Sequence, residues 1–216
     1  MLNILSSSTA SIFGNPISTP IDEDHPKAPL HAYGKSKYMV EMILEDYDRA
    51  YGLKSACLRY FNASGADTSG SIGEAHAPET HLIPLVIQSM LKLRSHIDIY
   101  GDDYTTRDGT AIRDYIHVSD LALAHIKSLD WMLDHKQSIQ LNLGTGSGYS
   151  IKEIIDTVER LSGKAVPWKL GPKSPDAAEL VASSKKAFEL TGWTPQSSSI
   201  DEIVSSAIAW HSKKKP

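Results

Sequence analysis

Residues 33–60, YGKSKYMVEMILEDYDRAYGLKSACLRY, read as a helix followed directly by a buried strand. Within the helical part, apolar residues recur at helical spacing, at Val40, Ile43, Leu44 and Tyr47. Gly52 stands where such a helix would end, because glycine adopts the left-handed conformation of a C-cap without strain. The segment Lys54–Tyr60 that follows is apolar and rich in strand-forming residues. A helix that leads through a two-residue turn into a buried strand is typical of α/β proteins.

The same alternation continues on both sides of this stretch. The pattern predicts further strands at Leu2–Ser7, Ile97–Tyr100, Asp114–His117 and Gln140–Leu143, and helices at Leu82–Leu93, Asp120–Leu133 and about 199–211. Ser150 followed by Glu153 forms a capping-box pattern at the start of one more helix. Short strands that alternate with helices indicate an α/β fold with parallel strands.

Length and composition limit the partners of the chain. Its 216 residues suit one large domain or two small ones, and the net charge of −4 argues against a nucleic-acid partner. No apolar stretch reaches the roughly 20 residues of a membrane span, and the first residues lack the pattern of a signal peptide. Cys57 is the single cysteine, so a reducing compartment and a cytoplasmic location are expected. The nine histidines are scattered without a ligand spacing, so no metal site is predicted.

Tyr33 and Lys37 are the first candidates for catalysis. Side chains at i and i+4 of a helix lie on one face, and an ammonium beside a phenol stabilises the phenolate, which is a competent base for a hydroxyl. An incidental surface pair is the alternative. Ser7, Ser8 and Thr9 end the predicted first strand, where ligands bind in open α/β sheets, and the alternative is a polar strand exit. The loop between Thr9 and Tyr33 has the length to bring both to one site.

Five segments carry a family resemblance that spans Ser7 to about Trp193 in order and spacing. They are SSSTASIFG (6–14), YGKSK (33–37), LRYFNASGA (58–66), DGTAIRDYIHVSDLA (108–122) and NLGTGSGYS (142–150). Together they resemble the successive signatures of the UDP-glucose 4-epimerases, a branch of the extended short-chain dehydrogenase/reductase family. The third and fourth segments are the more specific, because the tyrosine–lysine motif is shared by the whole superfamily.

The resemblance implies a fold, a cofactor and an assembly. The expected fold is a partial doubly wound, Rossmann-type parallel sheet (residues 1–64) with a smaller α/β substrate domain (65–216), of which about 120–146 pack back on the first part. NAD is the implied cofactor, although no glycine-rich pyrophosphate turn precedes Tyr33. A UDP-sugar is the implied substrate, and a homodimer built partly from the Tyr33 helix the implied assembly.

The resemblance also assigns roles to individual residues. Tyr33, Lys37 and Thr9 match the catalytic residues, and the cofactor side is assigned to Ser7, Ser8, Tyr33, Lys37 and Tyr60. The substrate-binding side is assigned to Thr9, Asn62, His81, Leu82, Asp98, Tyr100, Arg113, Tyr115, Lys173, Asp176 and Leu180. Arg113 corresponds to the diphosphate clamp, for which a guanidinium fork is suited.

Several of these residues have structural alternatives. Arg113 and Asp114 are also a possible ion pair, Tyr60, Tyr100 and Tyr115 possible core aromatics, Asn62 a turn residue, and Asp176 a solvated loop residue. Two positions depart from the family pattern. Lys173 offers a point charge in a segment where the family has arginine. Leu180 is smaller than the aromatic residue of glucose-restricted forms, which leaves space for an N-acetyl group.

The implied reaction is inversion of C4 of a UDP-hexose through a 4-keto sugar. The closest enzymatic alternative is a nucleotide-sugar 4,6-dehydratase or decarboxylase. Such enzymes usually place acids directly after the catalytic threonine, whereas this chain has Ala10 and Ser11. The alternative of another class is a non-catalytic remnant or interaction subunit, because a sheet without its first βαβ units exposes an unpaired edge.

Overall fold

The structure is a computed structural model that describes residues 3–175 and 177–213. The strands are β1 (Asn3–Thr9), β2 (Lys54–Tyr60), β3 (Asn62–Ser64), β4 (Ile97–Tyr100), β5 (Ile112–Arg113), β6 (Tyr115–His117), β7 (Ile139–Leu143), β8 (Tyr149–Ser150), β9 (Trp168–Gly171) and β10 (Glu179–Leu180). The helices are α1 (Ala32–Tyr51), α2 (Leu82–Met90), α3 (Val118–His135), α4 (Ile151–Ser162), α5 (Lys185–Thr191) and α6 (Ile200–Lys213). A 3-10 turn at Ala10–Ile12 follows β1.

The main sheet has the order β1-β2-β7, and its strands are parallel. Thr9 pairs with Tyr60, and Tyr60 with Leu143, so the three carboxyl ends lie at one edge. Within the described residues, β1 has no pairing partner on its outer side. The smaller sheets are β3-β6 and β4-β9, which are parallel, and β10-β5-β8, in which β8 runs antiparallel to β5. The predicted α/β fold class is confirmed.

Local signals predicted helix ends well. Gly52 ends α1 with φ of +69°, the left-handed value that favours glycine. The capping box at Ser150 and Glu153 forms with both hydrogen bonds present. The strand predicted at Asp114–His117 begins one residue later, at Tyr115, while the backbone N–H of Asp114 donates to the carbonyl of Leu180 (3.0 Å) on β10. The helix predicted to Leu93 ends at Met90, because Lys92 has φ of +61°.

Two large apolar clusters hold the elements together. One lies between β2, β7, α3 and α5 and includes the fully buried Trp193. The other packs α2, α4 and α6 against β4. A third, small cluster of Ile12, Phe13 and Ile21 anchors the loop that follows β1. In the described part of the chain, every helix falls short of the length and apolar character needed to cross a membrane.

Candidate active site

Tyr33 and Lys37 lie in the first turns of α1, beside the carboxyl end of β1. The Lys37 Nζ donates a hydrogen bond to the carbonyl of Ser7 (2.9 Å). The same nitrogen lies 5.9 Å from the centroid of the Tyr33 ring. Tyr33 is 57% exposed, so its phenol is open to a ligand. The predicted helical pair therefore exists with its ammonium fixed to the strand.

Gly34 allows α1 to approach the end of β1 closely. A Cβ atom at this position would lie 2.5 Å from the carbonyl oxygen of Ser11 and 3.1 Å from the Cβ of Pro29. Any larger residue would push the start of the helix away from the turn that follows β1. Glycine next to Tyr33 thus determines how near the phenol lies to Thr9.

The three hydroxyl residues at the end of β1 have different surroundings. Thr9 is buried, and its Oγ1 accepts from the backbone N–H of Ser11 (3.2 Å) and donates to the Ser11 hydroxyl (3.3 Å). Ser8 is buried and donates to Glu41 (2.5 Å). Ser7 is exposed, and its Oγ lies 3.2 Å from Nε2 of His125.

Two adjoining cavities lie at this edge of the sheet and share Phe61 and Asn62 in their walls. The first, of about 250 Å³, is lined by Thr9, Asn62, Arg113 and Leu180 among others. The second, of about 240 Å³, is lined by Tyr33, Tyr60, Asn62, His81, Leu82 and Tyr115 among others. Tyr33 and Thr9 thus line neighbouring cavities rather than one, and Lys37 is not among the lining residues of either.

The residues predicted to bind substrate differ in their hydrogen bonds and in their burial. Arg113 donates from Nη1 to the carbonyls of Ile112 (2.8 Å) and Ala177 (2.9 Å). Asn62 donates to the carbonyl of Asp114 (2.8 Å). Tyr115 is 3% exposed, and burial raises the pKa of its hydroxyl above the ordinary value. Tyr115 is therefore both a core aromatic and part of a cavity wall.

Three predicted substrate residues, Asp98, Tyr100 and Lys173, line neither of the two cavities. Asp98 and Tyr100 lie on β4. Lys173 pairs with Asp103 (3.0 Å) and lies over the ring of Tyr104, 4.6 Å from its centroid. Asp176 lies outside the described residues.

Comparisons with known proteins identify the family of the chain. A family model described as GDP-mannose 4,6 dehydratase matches residues 2–207. The chain belongs to this family. Within it, a UDP-glucose 4-epimerase of Rhizobium leguminosarum bv. trifolii is 47% identical over 96% of the chain and 63% of its own length. A UDP-glucose 4-epimerase of Halalkalibacterium halodurans is 46% identical over 96% of this chain and 63% of its own length. The chain therefore spans just under two thirds of the length of these relatives.

Solved structures of family members have the same fold. A UDP-glucose 4-epimerase of Brucella ovis in complex with NAD superposes with a TM-score of 0.94 at 42% identity, over 96% of this chain and 64% of that one. A UDP-glucose 4-epimerase of Bifidobacterium longum in complex with NAD+ and UDP superposes with a TM-score of 0.89 at 37% identity, over 98% of this chain and 64% of that one. The Rossmann-type architecture and the resemblance to UDP-glucose 4-epimerases are confirmed.

A buried ion pair behind the site was not predicted from the sequence. Glu41, two turns after Tyr33 on α1, accepts from Nε (3.0 Å) and Nη2 (2.6 Å) of Arg59 on β2. The two side chains are 6% and 4% exposed. Charged side chains are seldom fully buried, so their residue type gave no reason to expect this pair in the interior. Glu41 lies four residues after Lys37, on the same helix face as Tyr33 and Lys37.

The glycine-rich loop 144–148 is occupied by a side chain of the protein itself. The Asp114 carboxylate accepts from the backbone N–H groups of Thr145 (3.0 Å), Gly146 (3.3 Å) and Ala182 (3.1 Å). Successive N–H groups of this kind form an anion-binding concavity, which in other proteins holds phosphate. Burial, the largest influence, raises the pKa of Asp114, and these hydrogen bonds oppose it. The loop therefore stabilises the junction between β6, β7 and β10.

Proposed function

We propose that this site, in a protein of the relatives' full length, interconverts UDP-glucose and UDP-galactose by inverting C4 of the sugar. The observation that carries the proposal is Tyr33 in a cavity wall with Lys37 one turn away and fixed to Ser7. Curated relatives that are 43–47% identical carry the name UDP-glucose 4-epimerase, which supports the same activity.

The chemistry of the residues supports a proton transfer at the sugar. Tyr33 removes the proton of the 4-hydroxyl as that carbon becomes a ketone and returns it when the alcohol re-forms. The Lys37 ammonium lies 5.9 Å from the centroid of the Tyr33 ring, so a positive charge stands beside the group that would exchange the proton. The Thr9 hydroxyl lies on the neighbouring cavity wall, where a hydrogen bond to the sugar would help to position it. When bound, NAD supplies the acceptor and donor for the C4 hydride.

The described residues fit one end of NAD. Lys37, Tyr33, Tyr60 and Ser7 surround the carboxyl end of β1, where a nicotinamide ribose would bind. The pyrophosphate end needs a free glycine-rich turn, and the loop 144–148 already holds Asp114. We therefore assign to this chain the nicotinamide side and the substrate side of the site. Ser8 was predicted to contact the cofactor, but its hydroxyl donates to Glu41 instead, and we assign it a supporting role.

The substrate we propose is a UDP-hexose. Asn62, His81, Leu82, Arg113 and Tyr115 supply amide, imidazole, guanidinium and aromatic groups along the adjoining cavities. A guanidinium suits a diphosphate because its fork can donate to two oxygens. Leu180 in the wall of the first cavity leaves more space than an aromatic residue, which supports acceptance of an N-acetylated sugar as well.

Dimerisation through α1 is part of the proposal. Its outer face carries exposed apolar side chains, among them Met39 (56%), Ile43 (54%) and Tyr47 (49%). Removal of such a stripe from water is the usual driving force for association. A second copy of α1 is the partner that the family resemblance indicates.

A 4,6-dehydratase is the second candidate, because the family model that matches the chain is described as GDP-mannose 4,6 dehydratase. A dehydratase needs an acid near C5 and C6 of the sugar, whereas Thr9 is followed by the buried Ala10 and by Ser11, whose hydroxyl accepts from Thr9. Neither side chain can act as a general acid or a general base at neutral pH. This local chemistry favours epimerisation.

The test uses the chain together with a polypeptide that supplies the remaining third, NAD and UDP-galactose. Tyr33→Phe should lower kcat by at least about a hundredfold, since general-base catalysis contributes about 10²–10⁴-fold. The matched control is Tyr51→Phe at the far end of the same helix, where the ring is 77% exposed. Full activity of Tyr33→Phe would refute the proposed mechanism, and a 4-keto-6-deoxy product would identify a dehydratase.

The non-catalytic alternative is tested by binding. Calorimetry with UDP-glucose measures whether the chain holds the nucleotide sugar, and Arg113→Met should weaken that binding. Failure of the unsubstituted chain to bind any UDP-sugar, with or without the complementing polypeptide, would favour an interaction subunit.

A further inference from the structure

Four side chains with metal-ligating atoms converge just before α2. Glu74, His76, Glu79 and His81 each offer one donor atom, and the four atoms lie within 4.8 Å of one another. Oε1 of Glu79 lies 3.6 Å from Nδ1 of His76 and 3.6 Å from Nδ1 of His81. Glu74 Oε1 contacts the same nitrogen of His81. The two carboxylates and two imidazoles thus face one point.

These separations match those of a coordination sphere. A zinc ion holds nitrogen and oxygen ligands at about 2.1 Å, which places tetrahedral neighbours about 3.4 Å apart. The separations of 3.6 Å around Glu79 are close to that value. Glu74 and His81 are in direct contact, so an ion bound by all four side chains would have to separate these two ligand atoms.

The charge of the cluster favours a divalent cation. The Glu79 side chain is 7% exposed and that of Glu74 is 24% exposed, so both carboxylates are largely removed from water. Among the residues described, the ion-pair partners of these carboxylates are His76 and His81 alone. No lysine or arginine of the described residues pairs with either carboxylate. A buried carboxylate without a countercharge is costly, and one divalent ion would neutralise both.

The loop that carries the cluster is held in place. Nε1 of Trp210 on α6 donates to the carbonyl of Glu74 (2.7 Å). Glu79 Oε1 accepts from the N–H groups of Thr80 (2.7 Å) and His81 (2.8 Å), which fixes the carboxylate. A cavity of about 260 Å³ lined by Glu74, His76 and Glu79 adjoins the cluster. Its volume leaves room for water ligands that would complete the coordination of an ion.

We propose that Glu74, His76, Glu79 and His81 form a binding site for a divalent first-row transition-metal ion, with Zn²⁺ as the best-suited ion. Imidazole and carboxylate together suit zinc and its neighbours, whereas Mg²⁺ and Ca²⁺ prefer oxygen ligands alone. Glu74 and His81 also line the second cavity, so the ion would lie at the edge of the proposed active site. The site shares His81 with the proposed substrate side, but ion binding by the four side chains can be measured without a sugar nucleotide.

The sequence pattern did not predict this site. The ligands occupy positions 74, 76, 79 and 81, and none of their spacings repeats a known zinc motif. The loop before α2, and not a helix or strand, brings them together. The prediction that the chain has no metal site is therefore the alternative against which the proposal is tested.

The test is a metal titration of the tag-free, chelator-treated chain. We expect one equivalent of Zn²⁺ to bind by calorimetry, and Co²⁺ to give the visible absorption of a low-symmetry nitrogen–oxygen site. His76→Asn should weaken Zn²⁺ binding at least tenfold, and Glu79→Gln should do the same. The matched control is His135→Asn on α3, whose imidazole stacks on Trp131 and which should bind Zn²⁺ as the unsubstituted chain does.

His76 carries the main test because its side chain is 48% exposed, so its replacement leaves the fold intact. A second readout is the melting temperature, which Zn²⁺ should raise in the unsubstituted chain and in His135→Asn but not in His76→Asn. Equal Zn²⁺ affinity of His76→Asn and the unsubstituted chain would overturn the proposal. Mg²⁺ binding as tight as that of Zn²⁺ would overturn the choice of metal.

Discussion

Replacing Glu41 by glutamine should destabilise the chain strongly, because it leaves a buried guanidinium without a countercharge. Glu41 and Arg59 are 6% and 4% exposed, and two hydrogen bonds of 3.0 Å and 2.6 Å join them. Among the described residues, Nη1 of Arg59 is already buried without a hydrogen-bond partner, and its guanidinium lies over the ring of Phe13, 5.5 Å from the ring centroid. Ser8 would also lose a charged acceptor. The amide keeps the size of the side chain, so the change isolates the effect of charge.

The magnitude follows from the burial of both partners. Breaking a buried pair by removing one charge costs about 3–5 kcal/mol, because the remaining ion stays desolvated. We expect about 3 kcal/mol for Glu41→Gln, since the amide oxygen still accepts one hydrogen bond. That loss is more than a hundredfold in the unfolding equilibrium and a large part of a typical domain's stability of about 5–15 kcal/mol.

The assay is urea unfolding followed by far-UV circular dichroism, with an unchanged m-value as the sign of a simple stability change. Glu45→Gln is the matched control, because its partner Arg49 on the same helix is 67% exposed, and its unfolding midpoint should not move. The double variant Glu41→Leu with Arg59→Met should recover most of the loss, since it removes both buried charges. A Glu41→Gln loss below about 1 kcal/mol, or a double variant less stable than the single one, would refute the reasoning.

Two further predictions concern buried titratable groups. Burial raises the pKa of the Cys57 thiol to about 12. At pH 8 a thiol reagent should therefore label the chain only after unfolding. Rapid labelling of the native chain would contradict this prediction. Burial lowers the pKa of His117 below 6.5, and its Nδ1 accepts from Ser119 (3.1 Å), so the folded state prefers neutral imidazole. The unfolded chain then takes up the proton first, and stability should fall as the pH drops below about 6.5. His117→Gln should flatten this fall in urea midpoints measured from pH 7.5 to 5.5, whereas an unchanged slope would assign it to other groups.

The elements and the local tyrosine–lysine pair were predictable because they depend on residues close together in sequence. Helical periodicity, Gly52 and the Ser150 capping box each act within a few positions, and they placed α1 and the start of α4 closely. The i and i+4 relation of Tyr33 and Lys37 needed nothing beyond helix geometry. Periodicity also placed β2 correctly, since its residues form an almost unbroken buried run.

The remaining features depend on contacts that local patterns do not encode. Asp114 was expected within a strand, yet its carboxylate is satisfied by a loop about thirty residues later, and the strand begins at Tyr115. Lys173 was assigned to the substrate from the family pattern, and its contacts with Asp103 and the ring of Tyr104 were not predicted. Both outcomes follow from which loops meet in three dimensions. Sequence spacing therefore predicted the elements better than it predicted the partners of individual charged side chains.

The position of Tyr33 depends on a row of α1 side chains that turns gradually from solvent toward the main sheet. Tyr33, Lys37 and Glu41 are four residues apart, and each such step advances about 40° beyond a full turn. The row begins at the exposed phenol, continues to the ammonium on the Ser7 carbonyl, and ends at the buried carboxylate that binds Ser8 and Arg59. Two adjacent residues of β1 are thus each tied to one residue of α1. Rotation of the helix by one residue, about 100°, would break both ties and move the phenol out of its cavity, so the buried pair maintains the proposed catalytic geometry.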